Sequence, residues 1–238
     1  MNIVSLNSLL ESLNGEQVFQ RIFISQDRKG KKIDLIKQLC RQKGVIFQMV
    51  PQSAIDRKAG KQNQGIFAQL PPVRFFTVSE ILNDIRTGLI LILDQLNDMG
   101  NVGAVIRSAV AAGVDGIIVS SRRSAPINET VLKTSAGSLI QARIILSKNL
   151  ATDIRILKEK NFWVVGTDVR EGSDYTEFNF KYNTALIIGN EEKGISSQLK
   201  KMSDFLITIP HSSKVESLNV SVSTAVILFE ALRQKRKP

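Results

Sequence analysis

The chain has 238 residues, 43% of them hydrophobic, and a formal charge of +10, which is enough apolar content for a core in one or two domains. A single cysteine, Cys40, and a single histidine, His211, exclude an internal disulfide framework and a Cys/His metal site, and no stretch reaches the roughly 20 apolar residues that span a bilayer. The basic balance points to a polyanionic partner, nucleic acid ahead of a membrane surface, because no Lys/Arg-rich amphipathic helix is visible.

The N-terminal MNIVSLNSLLESLN carries no basic n-region or small-residue cleavage site, so a cytoplasmic location is expected. VFQRIFIS then reads as a strand, KKIDLIKQLCRQKG as a helix ending on Gly44, and VIFQMV and GIFAQL as two further strands. This small α/β unit ends near Leu70. Pro71 and Pro72 can neither continue a helix nor sit in a central strand, so the boundary is expected at about residues 71 to 80. Residues 1–73 form the first domain, 74–88 a linker and 89–238 the second domain.

From Leu89 apolar runs alternate with helical patterns: LILILD, then NVGAVIRSAVAAG, GIIVS, ETVLKTSAG, ARIILS, NLATDIRILKEKN and FWVVGTDV. ALIIGN, a short helix from about Ser196, the strand FLITIP and a final helix from Val220 follow. Continuously apolar strands alternating with helices indicate an α/β fold with a mainly parallel sheet covered on both faces, in which ligands bind beyond the C-terminal strand ends.

Three polar clusters fall at such ends. In LDQLNDMGNVGAVIRSA the strand ends at Asp94 and a helix begins at Gly100-Asn101, with Val102, Val105, Ile106, Ala109 and Val110 on one stripe and Arg107 off it. Taken singly, Asn101 is an N-cap and Arg107 a surface residue. ALIIGNEEKGIS ends a strand in Gly189-Asn190-Glu191, where glycine permits positive φ or close backbone approach, and a simple turn fits as well. IPHSSKVESLN sets a polar loop, His211 to Asn219, between two apolar elements, with Ser217 or Asn219 readable as a cap. Three such loops in one domain make a site whose exposed side chains are Asn101, Arg107, Glu191, Ser217 and Asn219. The set lacks hydrolase logic, and neither a P-loop nor a GxGxxG after a strand occurs.

Together the clusters resemble the SpoU branch of the knotted SPOUT RNA methyltransferases: NxGAxxRSA at Asn101 to Ala109, IIGNEEKGIS at Ile187 to Ser196, and IPHSSKVESLNVSVSTAVILFEA at Ile209 to Ala231. The resemblance covers residues 89 to 238, including TSAGS at Thr134 to Ser138, and residues 1–73 resemble an L30e-like RNA-binding domain. It departs in one place, where many members have a proline and this chain has Asp98-Met99-Gly100-Asn101.

The resemblance implies a trefoil-knotted α/β domain, S-adenosyl-L-methionine as cofactor, and 2′-O-methylation of RNA, with a guanosine of large-subunit ribosomal RNA as target and transfer RNA as the alternative. It implies Asn101, Arg107, Glu191, Ser217 and Asn219 as the catalytic set. Gly166, Thr167, Gly189, Asn190, Ile209, Pro210 and Leu218 are implied at the cofactor. It further implies a homodimer built on one face of the final helix; composition and hydropathy give the expectation of no metal and no membrane. RNA is expected to be gripped through Arg21, Arg28, Lys29, Lys31, Lys32 and Arg41. The readings set against it are a non-catalytic RNA-binding or ribosome-assembly protein on this fold, and a metabolic enzyme with a small anionic substrate.

Overall fold

The computed structural model describes residues 2–15, 18–84, 88–122, 124–212 and 215–236. The chain divides into two units, Met1–Val73 with Ala136–Ile140, and Arg74–Ser135 with Gln141–Pro238.

The first unit runs β1 (Asn2–Ile3), α1 (Leu6–Asn14), β2 (Arg21–Ser25), α2 (Lys31–Gln42), β3 (Phe47–Val50), α3 (Gln52–Ala59) and β4 (Ile66–Gln69). Its sheet has the order β1-β4-β2-β3, with β2 and β3 parallel and the other pairs antiparallel. The two-residue period of the strands sorts the core into layers. Ile22, Ile24, Ile66 and Ala68 pack with Leu9, Leu13, Ile33, Ile36 and Cys40 of α1 and α2, while Phe23 and Phe67 turn the other way onto Ile55 of α3. Burial pushes the Cys40 thiol up to about 11, which makes it an inert core side chain. The sequence pattern shows neither α1 nor α3. Ser and Asn interrupt the leucines of the first, and the second buries only Ile55.

The second unit runs α4 (Val78–Leu82), β5 (Leu89–Leu93), α5 (Met99–Ala111), β6 (Gly116–Ser120), α6 (Glu129–Thr134), β7 (Ile144–Ser147), α7 (Leu150–Glu159), β8 (Trp163–Thr167) and β9 (Ser173–Asp174). It continues with β10 (Thr184–Ile188), α8 (Ser197–Met202), β11 (Phe205–Thr208) and α9 (Val220–Arg236). All seven strands are parallel, in the order β7-β6-β5-β10-β8-β11-β9. Every residue of β5 and β10 is buried, as a sheet covered on both faces requires. Ile90 and Ile92 face the core shared with α4, α7 and α8, and on the other face α5 packs against α6 and α9.

Residues 74–88, expected as a linker, contain structure that belongs to the second unit. Thr77 and Glu80 form a capping box at the start of α4: the Thr77 hydroxyl accepts from Glu80 N at 3.2 Å, and Glu80 accepts from Thr77 N at 2.7 Å. Val78 and Ile81 are buried in its core, and Phe76 N donates to Ile144 O at 2.8 Å. Two buried apolar side chains in a five-residue helix are too few to show as periodicity.

Among the described residues no helix is long and apolar enough to cross a membrane, and no group of three or more His, Cys, Asp or Glu is placed to hold a metal ion.

Candidate active site

The strand order creates the place for a site. β5, β6 and β7 spread to one side, β8 lies on the other, and β10 is inserted between β5 and β8 with Ile188 beside Leu93 and Ile187 beside Gly166. Such a reversal opens a crevice beyond the C-terminal strand ends. The loops after β5, β10 and β11 all emerge there.

Each loop is fixed by its own polar contacts. Asp94, 4% exposed at the end of β5, accepts from Ser196 N at 2.7 Å and so ties this strand to the start of α8. Asn190 N and O exchange bonds with Gly194 at 3.0 and 2.8 Å, closing a tight loop. The Asn190 amide donates to Gln95 O at 3.1 Å and accepts from the N–H groups of Glu192 and Lys193. A Cβ on Gly189 would lie 2.1 Å from the backbone carbon of Gly194. Gly189 is therefore required by the loop's own close approach. Gly166 is buried within β8, where a Cβ would meet Ile195 at 2.7 Å and Ser203 at 2.8 Å, so packing demands this glycine. Thr167 donates its hydroxyl to Ile187 O at 3.1 Å.

The start of α5 corrects the reading of Asn101 as a cap. Asp98 is the cap, with its carboxylate accepting from Asn101 N at 2.7 Å. That frees the Asn101 side chain, which donates through Nδ2 to Glu191 Oε1 and accepts through Oδ1 from Asn219 Nδ2 at 3.2 Å. Asn219 in turn accepts at Oδ1 from Ser221 N at 2.9 Å and Ser221 Oγ at 2.6 Å. Asn219 thus both caps α9 and joins the network. One chain of hydrogen bonds, Glu191 to Asn101 to Asn219 to Ser221, connects all three loops. An ionised carboxylate only accepts, so it orients the first amide, and each amide orients the next.

The structure does not bring all five expected side chains into this chain. Arg107 is exposed on α5 and makes none of the hydrogen bonds or ion pairs among the described residues. Six residues beyond Asn101, it points about 120° round the helix from it. Ser217 is exposed and likewise outside the network. Leu218 and Ile209 are half-buried, Pro210 is exposed, and Ile209 O lies 3.0 Å from His211 Nδ1. Ser213 and Lys214 of this loop fall outside the described residues. Two cavities, of about 270 and 340 Å³, lie elsewhere, and neither is lined by a network residue.

Beside the site, Asp168 follows β8 and pairs with Lys200 at 2.9 Å. Burial opposes its charge. The Lys200 bond and the N–H groups of Arg170 and Glu171 outweigh that and hold the carboxyl below its ordinary value. Sequence reasoning missed Asp94, Asp98, Asp168 and Ser221, although an aspartate ending an apolar run was the available signal for the first.

The basic residues of the first unit fall at two places along its elements. Arg28, Lys29, Lys31 and Lys32 are exposed around the β2 to α2 turn. Arg21 and Arg41 are exposed toward the opposite ends of β2 and α2, about 13 and 15 Å away by strand and helix rise.

Comparison with known proteins agrees with this architecture. The model of the SpoU rRNA methylase family matches residues 88–229, and that of the RNA 2′-O ribose methyltransferase substrate-binding domain matches residues 6–76. A protein of Staphylococcus saprophyticus named as a TrmH family tRNA/rRNA methyltransferase is 33% identical over 98% of this chain and 95% of its own. A Bacillus subtilis protein of the same description, YacO, is 30% identical over 99% and 96%. The crystal structure of the SpoU methyltransferase AviRb from Streptomyces viridochromogenes, in complex with AdoMet, superposes with a TM-score of 0.71 at 23% identity. It covers 100% of this chain and 91% of that one, a likeness of fold.

Proposed function

The chain belongs to the SpoU rRNA methylase family, and from that premise we propose that it methylates the ribose of a guanosine in large-subunit ribosomal RNA. The coarser activity, S-adenosylmethionine-dependent methylation of a ribose 2′-hydroxyl in RNA, goes with the family and with the substrate-binding model matched by the N-terminal part. The ribosomal target is supported by the family description and by the resemblance of SLNVSVSTAVILFEALRQ to ribosomal members. The alternative is transfer RNA, because the relatives are named for both. One observation carries the reading: the hydrogen-bonded chain from Glu191 through Asn101 to Asn219, which joins the three loops into one site.

The residues present suit the cofactor. The side chains of Ile209 and Leu218 are apolar and half-buried, as suits contact with a planar base, and Glu191 supplies a carboxylate suited to a positive sulfonium. Backbone groups at Gly189, Asn190, Ile209, Pro210 and Leu218, with Gly166 and Thr167 at the border, are the proposed holders. When bound, the cofactor supplies an already activated methyl group. The protein's task is therefore alignment, which can contribute roughly 7 to 11 kcal/mol.

Asn101 and Asn219 hold a fixed orientation for the incoming ribose, and Glu191 locks that orientation. Arg107, exposed and without an ion pair among the described residues, presents a guanidinium fork to the phosphate beside the target ribose. Ser217 assists from the loop. A guanidinium is a poor proton acceptor, so positioning is the role assigned to Arg107.

Residues 1–73 act as an L30e-like RNA-binding domain, and the knotted domain follows α4 and includes 89–238. Two chains pair through α9. Its buried face carries Val220, Thr224, Ile227 and Leu228, while Val222 and Phe229, 51% and 49% exposed, lie seven residues apart on another face of the isolated chain. The cytoplasm is the compartment that holds the substrate.

Incubation with methyl-labelled S-adenosylmethionine and, separately, undermethylated ribosomal and transfer RNA tests the reading by nucleoside mass spectrometry. Labelled 2′-O-methylguanosine from large-subunit RNA is expected. Label confined to transfer RNA would move the assignment to the alternative.

A further inference from the structure

At the N-terminal end of the same sheet, opposite the strand ends that carry the site, lies a cavity of about 340 Å³ lined by Asn161, Trp163, Lys181, Tyr182 and Asn183. Its aromatic side chains are exposed, Trp163 by 45% and Tyr182 by 56%, with Phe205 beside them at 42%. A surface cluster of three large aromatics calls for an occupant.

The cluster is anchored in the core. Trp163 meets Phe205 edge-on at 5.4 Å, Phe205 meets Phe178 at 5.4 Å, and Phe178 meets the fully buried Phe180 at 4.9 Å. The opposite wall is equally fixed. Trp163 N donates to Asn183 O at 2.8 Å, Gly88 N to Asn183 Oδ1 at 2.7 Å, Lys181 N to Asn179 Oδ1 at 3.0 Å, and Thr184 Oγ1 to Tyr182 O at 2.9 Å. The Trp163 ring is thus held by its aromatic neighbours, and the backbone that carries Tyr182 is fixed beside it.

Two aromatic rings, a lysine in the lining, a second exposed lysine at Lys160 next to Asn161, and the amide of Asn161 form the set that binds a nucleotide. Rings stack on a base, lysine meets a phosphate, and the amide hydrogen-bonds a base edge. Asp204, a nearby carboxylate, pairs with Lys158 at 2.5 Å and accepts a hydrogen bond from Val164 N at 2.8 Å. A chain of charge +10 that acts on RNA supplies the complementary partner.

We propose that this cavity binds an unpaired nucleobase of the RNA substrate, as a second contact at the far end of β8, about 13 Å along the strand from the end that borders the methyl-transfer site. The inference rests on the RNA methyltransferase reading. It adds a place where single-stranded RNA flanking the target is held, so that affinity for long substrates exceeds what the reacting ribose alone provides.

Trp163 is the chain's single tryptophan, so its emission reports on this cavity directly. Titration of the full chain with single-stranded RNA of roughly eight nucleotides is expected to quench it. In Tyr182→Ala and Lys181→Ala binding is expected to weaken roughly tenfold, the loss of one stacked base or phosphate contact. Methylation of a long RNA by Tyr182→Ala should show a KM raised by a similar factor with kcat unchanged, which also shows that the variant is folded.

Absence of quenching, or quenching that both variants retain in full, overturns the proposal. So does an emission change that follows protein concentration without RNA, because a second copy then covers the patch. Label entering RNA while Trp163 stays silent removes this contact and leaves the activity standing. No label in any RNA removes the activity itself.

Discussion

Asn101 shows what a single residue's type can and cannot say. Asparagine before an apolar stripe is an ordinary cap, and only the presence of Asp98 in that role releases its amide to bridge Glu191 and Asn219. Arg107 is the reverse case, since nothing among the described residues pairs with its charge. Arg107→Ala is expected to lower kcat by at least a hundredfold, about 2.7 kcal/mol by the rate relation, with cofactor affinity unchanged by calorimetry. Arg107→Lys should restore little, because a point charge lacks the fork. Undiminished methylation by either variant would take Arg107 out of the site. Asp168 makes a prediction about pH. Its folded value lies below the ordinary 3.8, so its contribution is present above about pH 4 and is lost as pH falls through the lowered value. Asp168→Asn should lose about 1 kcal/mol or less at neutral pH, and its melting temperature should converge with that of the parent chain in acid.

At the scale of elements, two helices carry the argument. α5 lies against α6 because residue 103 is glycine: a Cβ there would sit 2.0 Å from Thr134 Oγ1 and 2.9 Å from Ser135 N. The Thr134 hydroxyl donates to Met99 O at 3.0 Å across this contact. Gly103→Ala gains about 1 kcal/mol in helix propensity but overpacks a contact that includes backbone, at about 1 to 3 kcal/mol. A net loss of stability in chemical denaturation is expected, and an equally stable variant would show that the helices shift freely. α9 is apolar on two faces, and the isolated chain buries one of them. Val222→Asp with Phe229→Asp should shift a dimer to monomer by light scattering, with far-ultraviolet dichroism retained. A parent chain that is already monomeric at micromolar concentration would dismiss this interface.

At the scale of the whole molecule, the proposed function gives gripping to the first unit and methyl transfer to the second. A chain beginning at Arg74 keeps α4 and the seven-stranded sheet, so it is expected to bind the cofactor and lose most of its RNA affinity in anisotropy titrations. Full affinity would refute the part assigned to residues 1–73. The sequence by itself determined the mainly parallel α/β domain, because continuously apolar strands can exist only where both faces are covered. It also singled out the three loops of the proposed site, since the three motifs stand at strand ends. The tertiary structure alone decided that residues 74–84 carry a core helix. It also decided that Gly189 and Gly166 answer to packing, and that Asn101, Glu191 and Asn219 meet while Arg107 and Ser217 stand apart. The reason is physical: periodicity along a chain reports which face of an element is buried. Which side chains touch across 90 or 118 residues depends on strand order, and strand order here inserts β10 between β5 and β8.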